Sequence, residues 1–218
     1  MRTGDIVTER REIPTDILLV TTYDNVDLKI VQDTETYAEV RSGENLLADI
    51  TFTIKGNGLE IANTSKCNWA RSYDVPREVT LHVPQLRDVR LNGYGNISSV
   101  GVFRQDTLFL HLLGAGDINL ELQGNYLNMD MFELGDITLR GTMEEFTWVL
   151  GGNGRLFAHD LQTRRNYFKT TRDSNGDAHV RAQDIVGGSV EGTGTVYYSG
   201  NPATKDLQIK GFGSAQPE

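Results

Sequence analysis

A glycine turn followed by an apolar residue recurs seven times in the second half of this 218-residue chain. The turns are Gly93-Tyr94-Gly95, Gly114-Ala115-Gly116, Leu134-Gly135, Gly152-Asn153-Gly154, Asn175-Gly176, Gly192-Thr193-Gly194 and Gly211-Phe212-Gly213. Their second glycines stand at 95, 116, 135, 154, 176, 194 and 213, so successive steps are 21, 19, 19, 22, 18 and 19 residues. A near-constant step of about 20 makes each copy one coil of a stacked solenoid. A propeller blade needs about twice that length. Glycine at such corners answers either a positive φ or a close approach of two backbones.

The flanks of the corner alternate. Leu108, Leu110 and Leu112, then Leu127, Met129 and Met131, then Phe146, Trp148 and Leu150 precede it. Ile118 and Leu120, Ile137 and Leu139, Leu156 and Ala158, Ala178 and Val180, and Val196 and Tyr198 follow it. Period two on both sides means two strands per coil, each with one face turned inward. Asn96, Asp117, Asp136 and Asp177 sit just after the corner, where a short polar side chain reaches nearby backbone. The coil ending at Gly176 departs from the pattern, with Thr170 and Arg172 at inward positions. An extended loop or bulge near Arg164 to Tyr167, or a polar interruption of the core, would account for it.

Residues 1–86 show β signals without the strict period, so the expected organisation is one elongated domain, 1–218, with an N-terminal β section and regular coils over 87–218. Val26 to Ile30, Tyr37 to Arg41 and Val79 to Val83 read as strands. Leu46 to Ile54 and Leu59 to Ile61 do too, joined by the hairpin turn Lys55-Gly56-Asn57-Gly58. Asn63 to Pro76 reads as a longer loop holding Cys67, Trp69 and Tyr73. Little helix is expected. The fold class is all-β, a parallel β-helix or β-solenoid, right-handed by the general preference of parallel β connections.

A net charge of −9 disfavours nucleic acid, which needs clustered Lys and Arg. The pairs Arg10-Arg11 and Arg164-Arg165 read as solvated loop charges. One cysteine precludes an internal disulfide, and four scattered histidines offer no zinc spacing. No apolar run is long enough to span a membrane. The start, Met1-Arg2-Thr3-Gly4-Asp5, has no apolar signal core, which suggests either an internal protein or a chain with its export signal removed.

The glycine corners resemble those of a known family. So do Val79 to Pro84, leading into Val89-Arg90-Leu91-Asn92-Gly93, and the ending Val196-Tyr197-Tyr198-Ser199-Gly200-Asn201-Pro202 through Ile209-Lys210-Gly211-Phe212-Gly213-Ser214. Gly4 to Glu9 and Asn25 to Gln32 are similar to its N-terminal part. The chain resembles the auto-transporter adhesin head GIN domain family of Bacteroidetes envelope proteins. That resemblance implies a right-handed solenoid in an exported, often lipid-anchored protein, located in the periplasm or at the cell surface, and carries over no catalytic residue. Asn92-Gly93-Tyr94-Gly95 and Glu133-Leu134-Gly135 depart from the Ser-Gly-Ser-Gly corner of many relatives. Arg155 stands where an acidic or amide residue is usual, and the family's lipid-attachment cysteine is missing.

Aligned on the corners, two outward rows emerge as candidate ligand contacts. Glu121, Arg140, His159 and Arg181 lie five residues after a corner glycine; Asn119, Thr138, Phe157, His179 and Tyr197 lie three after. Guanidinium forks suit carboxylates and aromatic faces suit sugar rings, so the rows fit an acidic or neutral glycan. A plain solvated face is the alternative. Asp173, Asn175, Asp177 and Asp184 have calcium-loop spacing, but Ala178 occupies the glycine position and Asp184 the glutamate position. Asp88 and Asp130, with His111 between their coils, are the acidic groups nearest to a cleavage pair. The reading reached is a non-catalytic envelope or surface module that binds a glycan or a surface protein, without cofactor or metal. A carbohydrate-active enzyme and a self-associating homo-oligomer are the alternatives.

Overall fold

Seventeen strands form one continuous hydrogen-bonded sheet that coils on itself. The computed structural model describes residues 3–65 and 75–218, so the expected loop residues Cys67, Trp69 and Tyr73 lie outside the described residues. The architecture is nearly all-β, 65% strand and 3% helix, with a solenoid of about six turns spaced about 20 residues apart.

The regular part begins with β8 (Asp88–Gly93) and β9 (Ile97–Arg104). It continues through β10 (Thr107–Leu112), β11 (Ile118–Met131), β12 (Ile137–Leu150), β13 (Leu156–Thr170) and β14 (Ala178–Val190). It ends with β15 (Thr195–Ser199), β16 (Thr204–Ile209) and β17 (Ser214–Pro217). Equivalent strands stack in parallel as two columns. Strands preceding the glycine corner form one: β8, β10, the C-terminal halves of β11 to β14, then β16. Strands following it form the other: β9, the N-terminal halves of β11 to β14, β15 and β17.

Inward residues meet as ladders. Leu110 stands opposite Met129 and Met129 opposite Trp148, all fully buried. Trp148 stacks on Phe168 with ring centroids 5.1 Å apart and donates its indole N–H to Asn166 Oδ1 at 2.9 Å. A buried indole needs such an acceptor. Asn166 also resolves the irregular coil. Phe146, Trp148 and Leu150 pair with Asn166, Phe168 and Thr170, so those three are the inward residues. Arg172 is exposed on a lengthened corner, and Arg164 to Tyr167 lie inside β13 rather than in a loop. Both accounts of the anomaly thus hold in part: the register shifts within β13, between Ala158 and Thr163 and again between Thr163 and Arg165, and the core there is polar. Thr170 Oγ1 accepts N–H groups of Glu191 and Gly192, serving the next coil's corner.

At the corners, the glycines answer close approach. A Cβ on Gly95, Gly116, Gly135, Gly154, Gly176, Gly194 or Gly213 would strike the carbonyl oxygen of the equivalent residue one coil earlier. Gly93, Gly114, Gly152, Gly192 and Gly211 abut backbone in the same way. The polar residue that follows reaches across coils. Asp117 N–H donates to Asn96 Oδ1 at 2.9 Å, Asp136 N–H to Asp117 Oδ1 at 2.8 Å, and Arg155 N–H to Asp136 Oδ1 at 2.9 Å. The staircase starts at Asp27, which accepts from Asn96. Arg155 closes it by also forking its guanidinium onto Asp136, 2.8 Å from Nη2 to Oδ2, and that hydrogen bond raises the arginine pKa.

The N-terminal section does not simply precede the coils. It contains β1 (Ile6–Glu12), β2 (Leu19–Asp24), β3 (Asp27–Gln32) and β4 (Tyr37–Gly43). A 3-10 helix (Glu44–Asp49) follows, then β5 (Ile50–Lys55), β6 (Gly58–Asn63) and β7 (Glu78–Val83). The coil formed by β2 and β3 sits between two later ones, pairing with β6 and β7 on one side and β8 and β9 on the other. The ladder therefore runs uninterrupted across residue 86. Beyond β6 and β7, antiparallel β5, β4 and β1 cover the strand edges. This blunts one end of the solenoid against further pairing. The expected strand from Leu46 begins only at Ile50, because Arg11 gathers the carbonyls of Leu47 and Ile50 at 2.8 and 2.5 Å and holds the intervening turn. The hairpin at Lys55 to Gly58 forms as expected, with Gly56 at φ 60°. Arg10 and Arg11, like Arg164 and Arg165, are strand residues; all four form ion pairs.

Across the cap, Tyr37 stacks on His82 at 4.1 Å, and Arg10 lies 3.8 Å over the other face of Tyr37. His82 Nδ1–H donates to Asp33 Oδ2 at 3.1 Å, which is the main cause holding the Asp33 carboxyl below its ordinary pKa.

Three outcomes follow from these contacts. Gly154→Ala drives a methyl into the Gly135 carbonyl and should cost at least about 2 kcal/mol in urea denaturation, whereas Ala115→Ser, exposed on the same kind of corner, should stay within about 0.5 kcal/mol. Asp117→Ala removes one step of the staircase and should cost about 1 kcal/mol in the same measurement. A depressed carboxyl stabilises above its unfolded pKa and loses that contribution as pH falls through the folded value. His82→Gln should therefore shift the acid-unfolding midpoint, followed by circular dichroism, to higher pH.

Candidate functional site

The outward face of the post-corner column carries the candidate residues. Ser98, Asn119, Thr138, Phe157, His179, Tyr197 and Gln216 lie opposite one another in successive coils, so the row three residues after the corner forms as one ladder. Within it the three rings stack. Phe157 and His179 lie 5.9 Å apart at 14°, and His179 and Tyr197 lie 4.7 Å apart at 14°. Parallel strands place equivalent side chains about one strand spacing apart, close to stacking distance.

The second row does not survive as drawn. Glu121 pairs with Arg140, but Arg140 then faces Asp160 rather than His159, because β13 takes an extra residue between Phe157 and Asp160. Against β14 the bulge is larger: Ala158 pairs with Val180 and Thr163 with Ala182. β13 thus spends five residue steps where β14 spends two. Bulges of this kind push side chains out of the ladder. His159 and Asp160 are half exposed or more, at 49% and 63%, with His159 Nε2 3.5 Å from Asp160 Oδ2. Sequence alignment on glycines could not reveal this, since the extra residues lie between two corners.

The bulge walls a shallow depression of about 410 Å³ lined by Phe157, His159, Asp160, His179, Arg181 and Ser199, with Glu218 at its rim. Of the expected residues, Phe157, His159, His179 and Arg181 come together here. Tyr197 supports the depression by stacking beneath His179. Neither Glu121 nor Arg140 lines it: Arg140 stands one coil away, opposite Asp160, and Glu121 one coil further, its backbone N–H donated to Ser99 Oγ at 2.9 Å. Asp160, Ser199 and Glu218 are members that sequence reasoning missed. Glu218 Oε1 accepts from His179 Nδ1 at 3.1 Å, which fixes the ring in the stack. Arg181 is exposed and its guanidinium forms no ion pair among the described residues. Arg155 lies 5.3 Å over the Phe157 ring at the corner side. The arrangement offers the outward edges of three stacked rings beside a guanidinium without an ion pair among the described residues.

The expected acidic pair does come together, on the other column, with the His111 ring between Asp130 and Asp88, its Nε2 3.7 Å from Asp88 Oδ1. His111 Nδ1 is 3.2 Å from Asp130 Oδ2, and Asp88 is forked by Arg90 at 2.8 and 2.6 Å. Asp177 accepts the Thr195 N–H at 2.7 Å and Asp184 pairs with Arg164 at 2.6 Å, so the calcium-spaced acids serve separate structural contacts. Among the described residues no three His, Asp or Glu side chains gather as a metal-binding group.

Residues 19–202 fit the model described as "Putative auto-transporter adhesin, head GIN domain". The chain belongs to this family. A solved structure from Bacteroides fragilis NCTC 9343, named a "putative adhesin", is similar with TM-score 0.87 and 20% identity, over 98% of this chain and 97% of that one. A protein of Parabacteroides distasonis ATCC 8503 named a "putative lipid binding protein" has TM-score 0.68 and 19% identity, over 97% and 96%. A "putative adhesin" from the same strain has TM-score 0.67 and 20% identity, over 99% and 98%. At these identities the likeness is one of fold. No curated protein matches the chain in sequence. No helix among the described residues is long and apolar enough to cross a membrane.

Proposed function

We propose that this head GIN domain is a non-catalytic adhesion module at the cell surface that binds a glycan through the Phe157–His179–Tyr197 ladder and Arg181. The observation that carries the reading is the stack of three outward rings beside an exposed guanidinium without an ion partner. The outward edges carry the Tyr197 hydroxyl and an imidazole nitrogen of His179, which can hydrogen-bond sugar hydroxyls, and a guanidinium fork matches a carboxylate or a pair of hydroxyls. The family's adhesin description supports a binding role and a surface location. The depression is open and its carboxylates, Asp160 and Glu218, each face a histidine.

The test is retention on immobilised polygalacturonate, alginate and neutral polysaccharides, with product release scored alongside. Retention without cleavage is expected, weakened at least about tenfold by Phe157→Ala with Arg181→Ala. Arg140→Ala should weaken retention less than Arg181→Ala, since Arg140 stands opposite Asp160 without lining the depression. Retention that ignores the double substitution, or release of shortened products, would overturn the reading.

A further inference from the structure

On the opposite column, three depressions of about 290, 300 and 290 Å³ adjoin along the outer surface of the first coils. The first and second share Leu18 and Arg87; the second and third share Leu19 and Asn57. Together they make one groove crossing β2, β8 and β10. We propose that this groove is a second ligand site, specific for a neutral oligosaccharide, independent of the ladder described above.

Four observations point to that class. The half-buried Phe109 ring forms the floor of the central depression, held from its edge by Tyr126 at 6.4 Å and 72°. Leu18 and Leu19 extend the apolar floor, giving a flat surface for the C–H face of a sugar ring. Arg87 is exposed, its Cζ 5.9 Å from the Phe109 centroid, with no ion pair among the described residues. A guanidinium there offers its donors to a pair of hydroxyls. The neighbouring carboxylate, Asp88, is taken up by Arg90.

An amide supplies the remaining polar contact. Asn57 stands at the junction of two depressions, and Gln105 walls a third. Gln105 Oε1 accepts the Leu86 N–H at 3.3 Å, while its Nε2 has no hydrogen-bond partner among the described residues. That buried donor lies behind the wall, so Asn57 is the amide the groove offers to a ligand. A peptide strand is not the occupant. β2, β8 and β10 each pair on both sides, so no free backbone edge is offered for strand addition. Recognition must come from side chains, chiefly the Phe109 ring, the Arg87 guanidinium and the Asn57 amide.

The experiment is isothermal titration of the chain with cellohexaose, xylohexaose, mannohexaose and chitohexaose. At least one should bind, and Phe109→Ala and Arg87→Ala should each weaken it at least about tenfold. Circular dichroism checks that both variants fold; Arg87, exposed and unpaired, keeps the test valid if Phe109→Ala does not. Binding by the Phe157→Ala, Arg181→Ala double variant should be unchanged. No heat with any of the four sugars, or affinity indifferent to both groove substitutions, overturns the proposal. Loss in the double variant instead assigns the sugar to the other ladder, which sinks this site and leaves the adhesion reading standing.

Discussion

Backbone stacking at a spacing too narrow for a Cβ governs this molecule. Each glycine corner sits against the carbonyl of the corner before it, from Gly95 through Gly213. Parallel strands must lie about 4.8 Å apart to bond, and a bend that keeps this spacing leaves room for hydrogen alone on its inner side. Everything else inherits that pitch. Inward aliphatics align because their strands are in register, and outward rings stack because the same spacing suits aromatic faces. The carboxylate staircase from Asp27 to Asp136 adds a side-chain strut to each step of the bend.

A stack built this rigidly acquires individuality only where its register breaks. The bulge in β13 is such a break, and the depression beside Phe157 and Arg181 is its product. The lengthened corner after Thr170 is another, and there the core accepts Asn166 and Thr170 because each meets a specific partner, the Trp148 indole and the corner N–H groups of the next coil. Meeting a hydrogen bond lowers the cost of a buried polar group, as at Asn166 Oδ1 and Thr170 Oγ1, although Asn166 Nδ2 has no partner among the described residues. The second bend of the coil carries a different device, the ion-pair column of Glu144, Arg164 and Asp184, in which one guanidinium joins three coils.

The two ends of the first coil show how the chain handles its edges. Residues 33–87 leave the coil formed by β2 and β3, build β4 to β7 on its outer side, and return to start β8 on its inner side. The consequence is a capped end, and beside it the irregular surface that forms the groove at Phe109. Both candidate sites thus sit where repetition is interrupted.

The coil length, the inward residues and the glycine corners were legible in the sequence, because each depends on local period and on the absence of a side chain. Leu108 to Leu112, Phe146 to Leu150 and the Gly56 hairpin all stand where alternation and turn chemistry put them. Three things depended on contacts between coils and were not legible. The 3-10 turn at Leu46 follows from Arg11, 36 residues away, reaching the Leu47 carbonyl. The placement of the first coil between two later ones is a matter of chain crossing, which a linear period does not encode. The division of the outward row, with His159 and Arg181 brought to one depression and Arg140 and Glu121 left out, follows from extra residues absorbed within β13. Sequence alone determined the repeat and its corners, since those are set by steric demands inside each coil; tertiary structure decided the sites, since those arise where neighbouring coils fall out of step.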